Sequence, residues 1–123
     1  MAQRGFTLIE LLVVMAIVAT LLTLVAPRYF RHVDNTREVV LRQNLAQVRD
    51  AIDKFRADSG KLPTSLEDMV DKRYLRSLPV DPITESNSSW TLIPAKSGEP
   101  TGLADIRSGA PGKATDGSLY ADW

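Results

Sequence analysis

In the run FTLIELLVVMAIVATLLTLVA, residues 6 to 26, every side chain is apolar except Thr7, Glu10, Thr20 and Thr23. Only Glu10 carries a charge, and an ionised carboxylate deep in hydrocarbon costs about 3 kcal/mol on insertion scales, so it needs a partner or a task. The alternative is a tolerated charge near a helix end that reaches back to the interface. A cation brought to Glu10 in a low dielectric would be attracted far more strongly than in water. Each charge would then offset the burial cost of the other. Little else in the chain is reactive. His32, the sole histidine, stands between Arg31 and Val33 just past the apolar run and reads as a solvated or headgroup-level side chain. A catalytic triad would have to use it as base, and no G-x-S-x-G, P-loop, dinucleotide or zinc-protease pattern occurs. No enzymatic activity is expected. Cysteine is absent, which excludes disulfides and thiolate metal sites. Fifteen basic and fifteen acidic residues balance without a Lys/Arg cluster, so no nucleic-acid partner is expected.

The element that must hold Glu10 is a helix. Twenty-one residues rise about 31 Å at 1.5 Å each, close to the ~30 Å hydrocarbon thickness of a bilayer. Ala16, Ala19 and Ala26 leave room for a cleaved secretory signal instead. Against that stand the polar, Arg-containing leader MAQRG and the resumption of a helical pattern beyond Pro27. Pro27 removes a backbone N–H, so a continuous helix would be kinked or loosened there, or would stop.

Past Pro27, Leu41, Leu45, Val48, Ile52 and Phe55 recur at spacings of four and three, an apolar seam on one helix face. Little more than two heptads is short for a coiled coil, so the seam is expected to pack against the chain's own C-terminal part. Asp58, Ser59 and Gly60 stop the helix, with Gly60 suited to a left-handed cap. If residues 6 to 58 formed one helix it would span about 80 Å. Thr64-Ser-Leu-Glu67 reads as a capping box opening a short helix to about Lys72, and Asp81-Pro82 as a turn. Trp90–Ile93 and Leu103–Ile106 read as short strands, Asn87-Ser-Ser89 as turn chemistry. About sixty-five residues beyond Asp58 are few for an independent core, so the sheet must cover the Leu41–Phe55 seam.

The stretch GFTLIELLVVMAI resembles the class III signal of type IV pilins and of the pseudopilins of type II secretion systems. The segments KLPTSLEDMVDKRYLRSLPVDPITES and DIRSGAPGKATDGSLYADW are similar to the major pseudopilins, the protein G group, so the resemblance covers nearly the whole chain. It implies a pilin-like α+β fold: a leader at residues 1–5, a transmembrane and assembly helix at 6–26, an amphipathic helix continuing it at 27–58, and a small antiparallel sheet within 59–123. It implies cleavage after Gly5 by a prepilin peptidase, methylation of the new amino terminus at Phe6, and neutralisation of a neighbouring subunit's amino terminus by Glu10. Pro27 is implied as the point where the helix can unwind in a packed filament. The function implied is that of a subunit of a periplasmic pseudopilus. Its partners would be identical copies, minor pseudopilins, an inner-membrane assembly platform and membrane lipid. Two alternatives stay open: a subunit of a type IV pilus for adhesion, motility or DNA uptake, and a membrane-tethered periplasmic binding module that never polymerises. Many type IV pilins close a C-terminal loop with a disulfide, which the absence of cysteine forbids.

The resemblance also raises calcium, which major pseudopilins often bind in the loop before the C-terminus. Asp116 and Asp122, with Ser108 and Ser118 nearby, are the oxygen donors on offer. Gly109-Ala110-Pro111-Gly112 lacks the acidic residue of the usual pattern, and no EF-hand spacing is present. The competing reading is a tight turn at Asp116-Gly117 with Asp122 solvated. Orientation follows from the resemblance, which places the larger C-terminal part on the periplasmic side of a bacterial inner membrane. Charge counting does not favour it: Arg4 and the amino terminus precede the span, while Arg28, Arg31 and Arg37 follow it.

Overall fold

The computed structural model describes residues 4–123. Its elements are a long helix α1, Leu8–Ser59, a short helix α2, Leu66–Asp71, and two strands, β1 at Thr91–Pro94 and β2 at Leu103–Arg107, followed by a 3-10 turn at Tyr120–Asp122. The strands form one antiparallel pair, so the fold is the expected α+β arrangement of a long N-terminal helix and a small sheet. The chain divides into two compact units, one ending at Asp34 and the other Asn35–Trp123. Residues 1–3 of the expected leader lie outside the described residues.

In the first unit every described residue from 4 to 32 is exposed. Apolar side chains surround α1 on all sides here, the pattern of a helix suited to a membrane. An 18-residue window of α1 has a mean hydropathy of 2.7, long and apolar enough to cross a bilayer. Two of its three threonines satisfy themselves locally, Thr20 Oγ1 donating to the Ala16 carbonyl at 2.8 Å and Thr23 Oγ1 to that of Thr20 at 2.7 Å. Pro27 lies inside α1, where it cannot donate to the Thr23 carbonyl one turn back.

The second unit is built on the predicted seam. Leu41, Leu45, Val48, Ile52 and Phe55 are all buried, together with Ala51. Met69 of α2 and Ile106 of β2, both fully buried, belong to the same core as Leu62, Leu75, Trp90 and Leu103. Trp90, expected in a strand, instead precedes β1 and is buried with its Nε1 donating to the Pro79 carbonyl at 2.8 Å. Burial of the ring decides its position over the register of a four-residue strand. The helix stop is as expected: Gly60 has φ 68° and its N–H reaches the Arg56 carbonyl at 2.9 Å.

The start of α2 differs from the Thr64/Glu67 box. Ser65 is the cap, its Oγ accepting from Asp68 N at 3.1 Å, while Asp68 Oδ2 accepts from Thr64 N at 3.2 Å. The shift by one residue lets Leu66 and Met69 both face the core, leaving Glu67 exposed. Two glycines are fixed by close approach. A Cβ on Gly102, at φ 148°, would lie 2.7 Å from Leu62 Cβ, and one on Gly109 would fall 1.7 Å from the Ser89 carbonyl oxygen.

Candidate functional site

The first site lies at the start of α1. Gly5 and Phe6 precede the helix, Phe6 being 85% exposed, so the bond between them lies on open chain. Thr7 Oγ1 accepts from Glu10 N at 3.2 Å, and Glu10 Oε2 accepts from Thr7 N at 3.5 Å. This reciprocal pair is a capping box, Thr-x-x-Glu, satisfying two N–H groups that the first helical turn leaves open. The pattern is visible in Thr7-Leu8-Ile9-Glu10, but the apolar run around it hides it as a cap. The backbone bond to Glu10 is long, and among the described residues no ion pair engages this carboxylate. Most of its hydrogen-bonding capacity therefore stays unspent. Phe6 stands four residues, about one turn, before it.

The second site is the tail of the chain and the helix face that holds it. Glu38, one step before Leu41 along the seam, is 6% exposed. Its Oε1 accepts from Thr115 N at 2.8 Å and from Tyr120 Oη at 2.9 Å, and its Oε2 from Thr115 Oγ1 at 2.7 Å. Burial pushes its pKa up, but the Thr115 and Tyr120 bonds outweigh burial and hold the group below the ordinary glutamate value. One turn on, Arg42 donates to Asp116 Oδ2 at 3.1 Å and lies over the Trp123 ring, 4.2 Å from its centroid. Arg49 donates to Asp105 at 2.8 Å, to the Ile106 carbonyl at 3.0 Å and to the Trp123 main-chain oxygen at 2.8 Å. Three charged residues of α1 thus fasten the last nine residues. None of the three stands out in the sequence as a site residue. The signal for Glu38 was its place on the seam stripe, where a carboxylate needs donors.

Residues 114–119 form the expected tight turn, Gly117 N donating to the Ala114 carbonyl at 3.0 Å and Ala114 N to that of Ser118 at 2.7 Å. Asp116 Oδ1 accepts from Ser118 N at 2.9 Å and Ser118 Oγ at 2.6 Å. These bonds, with Arg42, draw the Asp116 pKa down. Asp122 sits exposed in the 3-10 turn. Ser108 is fully buried and donates to Asp81 Oδ2 at 2.6 Å. Calcium takes six to eight oxygens. Here the Asp116 carboxylate is shared between Ser118 and a guanidinium, a resident cation that repels a second one, and Ser108 is committed elsewhere. Among the described residues no three His, Cys, Asp or Glu side chains converge as a metal cluster. The donor set does not fit a calcium ion.

Asp81, with no exposed surface, joins the turn after α2 to the end of β2: besides Ser108, Ile83 N at 2.8 Å and Thr84 N at 3.4 Å donate to its Oδ1. The turn was legible in Asp81-Pro82; its buried anchoring to Ser108 was not.

Residues 1–26 match the family model described as "Prokaryotic N-terminal methylation motif". The chain is 32% identical over 96 residues to the type II secretion system core protein G of Pseudomonas aeruginosa, covering 65% of this chain and 68% of that protein. It is 26% identical over 132 residues to core protein G of Klebsiella michiganensis, covering 94% and 91%, and 28% identical over 96 residues to that of Escherichia coli K12, covering 65% and 66%. No solved structure matches the chain significantly. A helix that opens on a methylation motif, is long and apolar enough to cross a bilayer, and carries its small sheet on an amphipathic second half thus occurs in a chain that belongs to the type II secretion system core protein G family, the major pseudopilins.

Proposed function

We infer that this chain is a structural, pilin-like subunit of a type II secretion pseudopilus, and that it has no catalytic role. A prepilin peptidase cuts after Gly5, the new amino group of Phe6 is methylated, and identical copies then leave the inner membrane to stack into a periplasmic filament. The observation that carries this reading is Glu10: one carboxylate in an otherwise apolar span, bonded among the described residues by one long backbone contact, one turn from the position where cleavage creates a positive charge. A second copy displaced along the filament axis brings its Phe6 amino group to that carboxylate, and the pair relieves two burial costs together. Such head-to-tail contacts join two different surfaces of identical copies, so they need not close on themselves and can propagate.

Pro27 supplies the point where α1 can lose helical bonds during packing, since one is already missing there. Minor pseudopilins and an inner-membrane platform are the further partners, and the second unit faces the periplasm. The tail is held by Glu38, Arg42 and Arg49. The test pairs intact mass with filament yield. Membrane-extracted protein should have lost residues 1–5 and gained one methyl group. Glu10→Ala should be processed alike and inserted at least as well, yet yield no filaments. An unprocessed methionine start, or wild-type filament yield from Glu10→Ala, overturns the reading.

A further inference from the structure

Immediately past the last apolar residues of the span, α1 carries Arg28, Tyr29, Phe30 and Arg31 in a single turn. Arg28 and Arg31 are three residues apart and share a helix face. Both are exposed, and among the described residues neither enters an ion pair. Arg37 behaves differently, pairing with Glu85 at 3.7 Å. Asp34, three residues beyond Arg31 and the nearest acidic residue along the chain, makes no salt bridge with it. The two aromatic rings are 63% and 64% exposed and stand edge to face, 5.9 Å between centroids. Aromatic rings at the end of an apolar span sit at headgroup depth.

We propose that Arg28 and Arg31, flanking Tyr29 and Phe30, form a binding site for the headgroup of an anionic phospholipid where α1 leaves the membrane. The inference rests on the membrane-span reading of residues 6–26. With that run filling the hydrocarbon, Arg28 stands about 3 Å of helix rise beyond Ala26, within reach of lipid phosphates. Guanidinium groups bind phosphate oxygens in a planar, two-pronged geometry, and two on one face fit a diester headgroup that carries net negative charge. A zwitterionic headgroup brings its own cation and gains less. In the orientation proposed above, this also gives the cations on the far side of the span a local counter-charge, against the positive-inside bias.

Spin-labelled lipids test the site with the full chain reconstituted in phosphatidylcholine vesicles, comparing the motionally restricted fraction of labelled phosphatidylglycerol with that of labelled phosphatidylcholine. The wild-type chain should prefer the anionic label, with each arginine contributing up to about fivefold. The preference should shrink at high salt and fall to that of the remaining cations in R28Q/R31Q. Equal restriction of both labels by the wild-type chain, or an unchanged preference in R28Q/R31Q, overturns the headgroup site while leaving the span intact. Absence of restricted lipid of either kind overturns the span and the site together.

Discussion

Replacing Glu38 by alanine removes the acceptor of three hydrogen bonds, at 2.7, 2.8 and 2.9 Å, that join α1 to the tail. Bonds to a charged group contribute about 1.5–3 kcal/mol each, but the loss is not the sum. Thr115 is exposed and its donors can reach water, whereas the Tyr120 hydroxyl bond is buried. A net cost of about 3 kcal/mol follows from losing that buried bond to a charged group and leaving a small cavity on the seam. For a unit of this size each kcal/mol moves the midpoint by about 4–8 °C, so the second unit should melt about 12–24 °C lower. The assay is thermal unfolding of the full chain in detergent, followed by near-ultraviolet circular dichroism, with amide exchange at Thr115 reporting the tail itself. Glu38→Gln keeps one acceptor oxygen and should lose less. A Glu38→Ala midpoint within about 0.5 kcal/mol of wild type, the range of ordinary surface changes, would refute the idea that this carboxylate fastens the tail.

The same carboxylate sets an acid limit. Its folded pKa lies below the unfolded one, so its contribution is fully present above the unfolded value and disappears as pH falls through the folded value; Glu38→Gln should flatten that part of a stability-versus-pH curve. Calcium or a chelator should leave the wild-type midpoint unchanged. A site with a thousandfold excess of ion over its Kd would add about 4.1 kcal/mol, a shift no thermal scan would miss. Gly109→Ala should fail to accumulate as folded protein, because its methyl would overlap the Ser89 carbonyl oxygen, and protease resistance of the second unit in membrane extracts would show it. Asp81→Ala should destabilise that unit by about 2–4 kcal/mol, leaving the buried Ser108 hydroxyl and the Ile83 N–H without their acceptor; Ser108→Ala should cost less, since other donors remain on Asp81.

What could be read from the sequence divides along a physical line. Apolar surface was legible: the continuous apolar run that opens α1 can be read from composition, and the Leu41–Phe55 seam from spacing that repeats with the helix. Local backbone chemistry was nearly so, with Gly60 capping as expected and α2 displaced by a single residue because Leu66 and Met69 select the cap that turns both inward. The long-range polar ties were not legible. The seam stripe marks Glu38 as a carboxylate in need of donors, but nothing in EVVLRQ reveals that it and Arg42 meet Thr115 and Asp116 more than seventy residues later. Those ties bear directly on function. In the first unit, Glu10 keeps most of its capacity unspent within the described chain, which is what the proposed pairing with a second copy requires. In the second, Glu38 spends its capacity on the tail, and Arg42 places its positive charge on Asp116, where the resemblance puts a calcium ion. One carboxylate on α1 is left open and another is closed. On the proposed function, that difference separates an assembly surface from a structural tie.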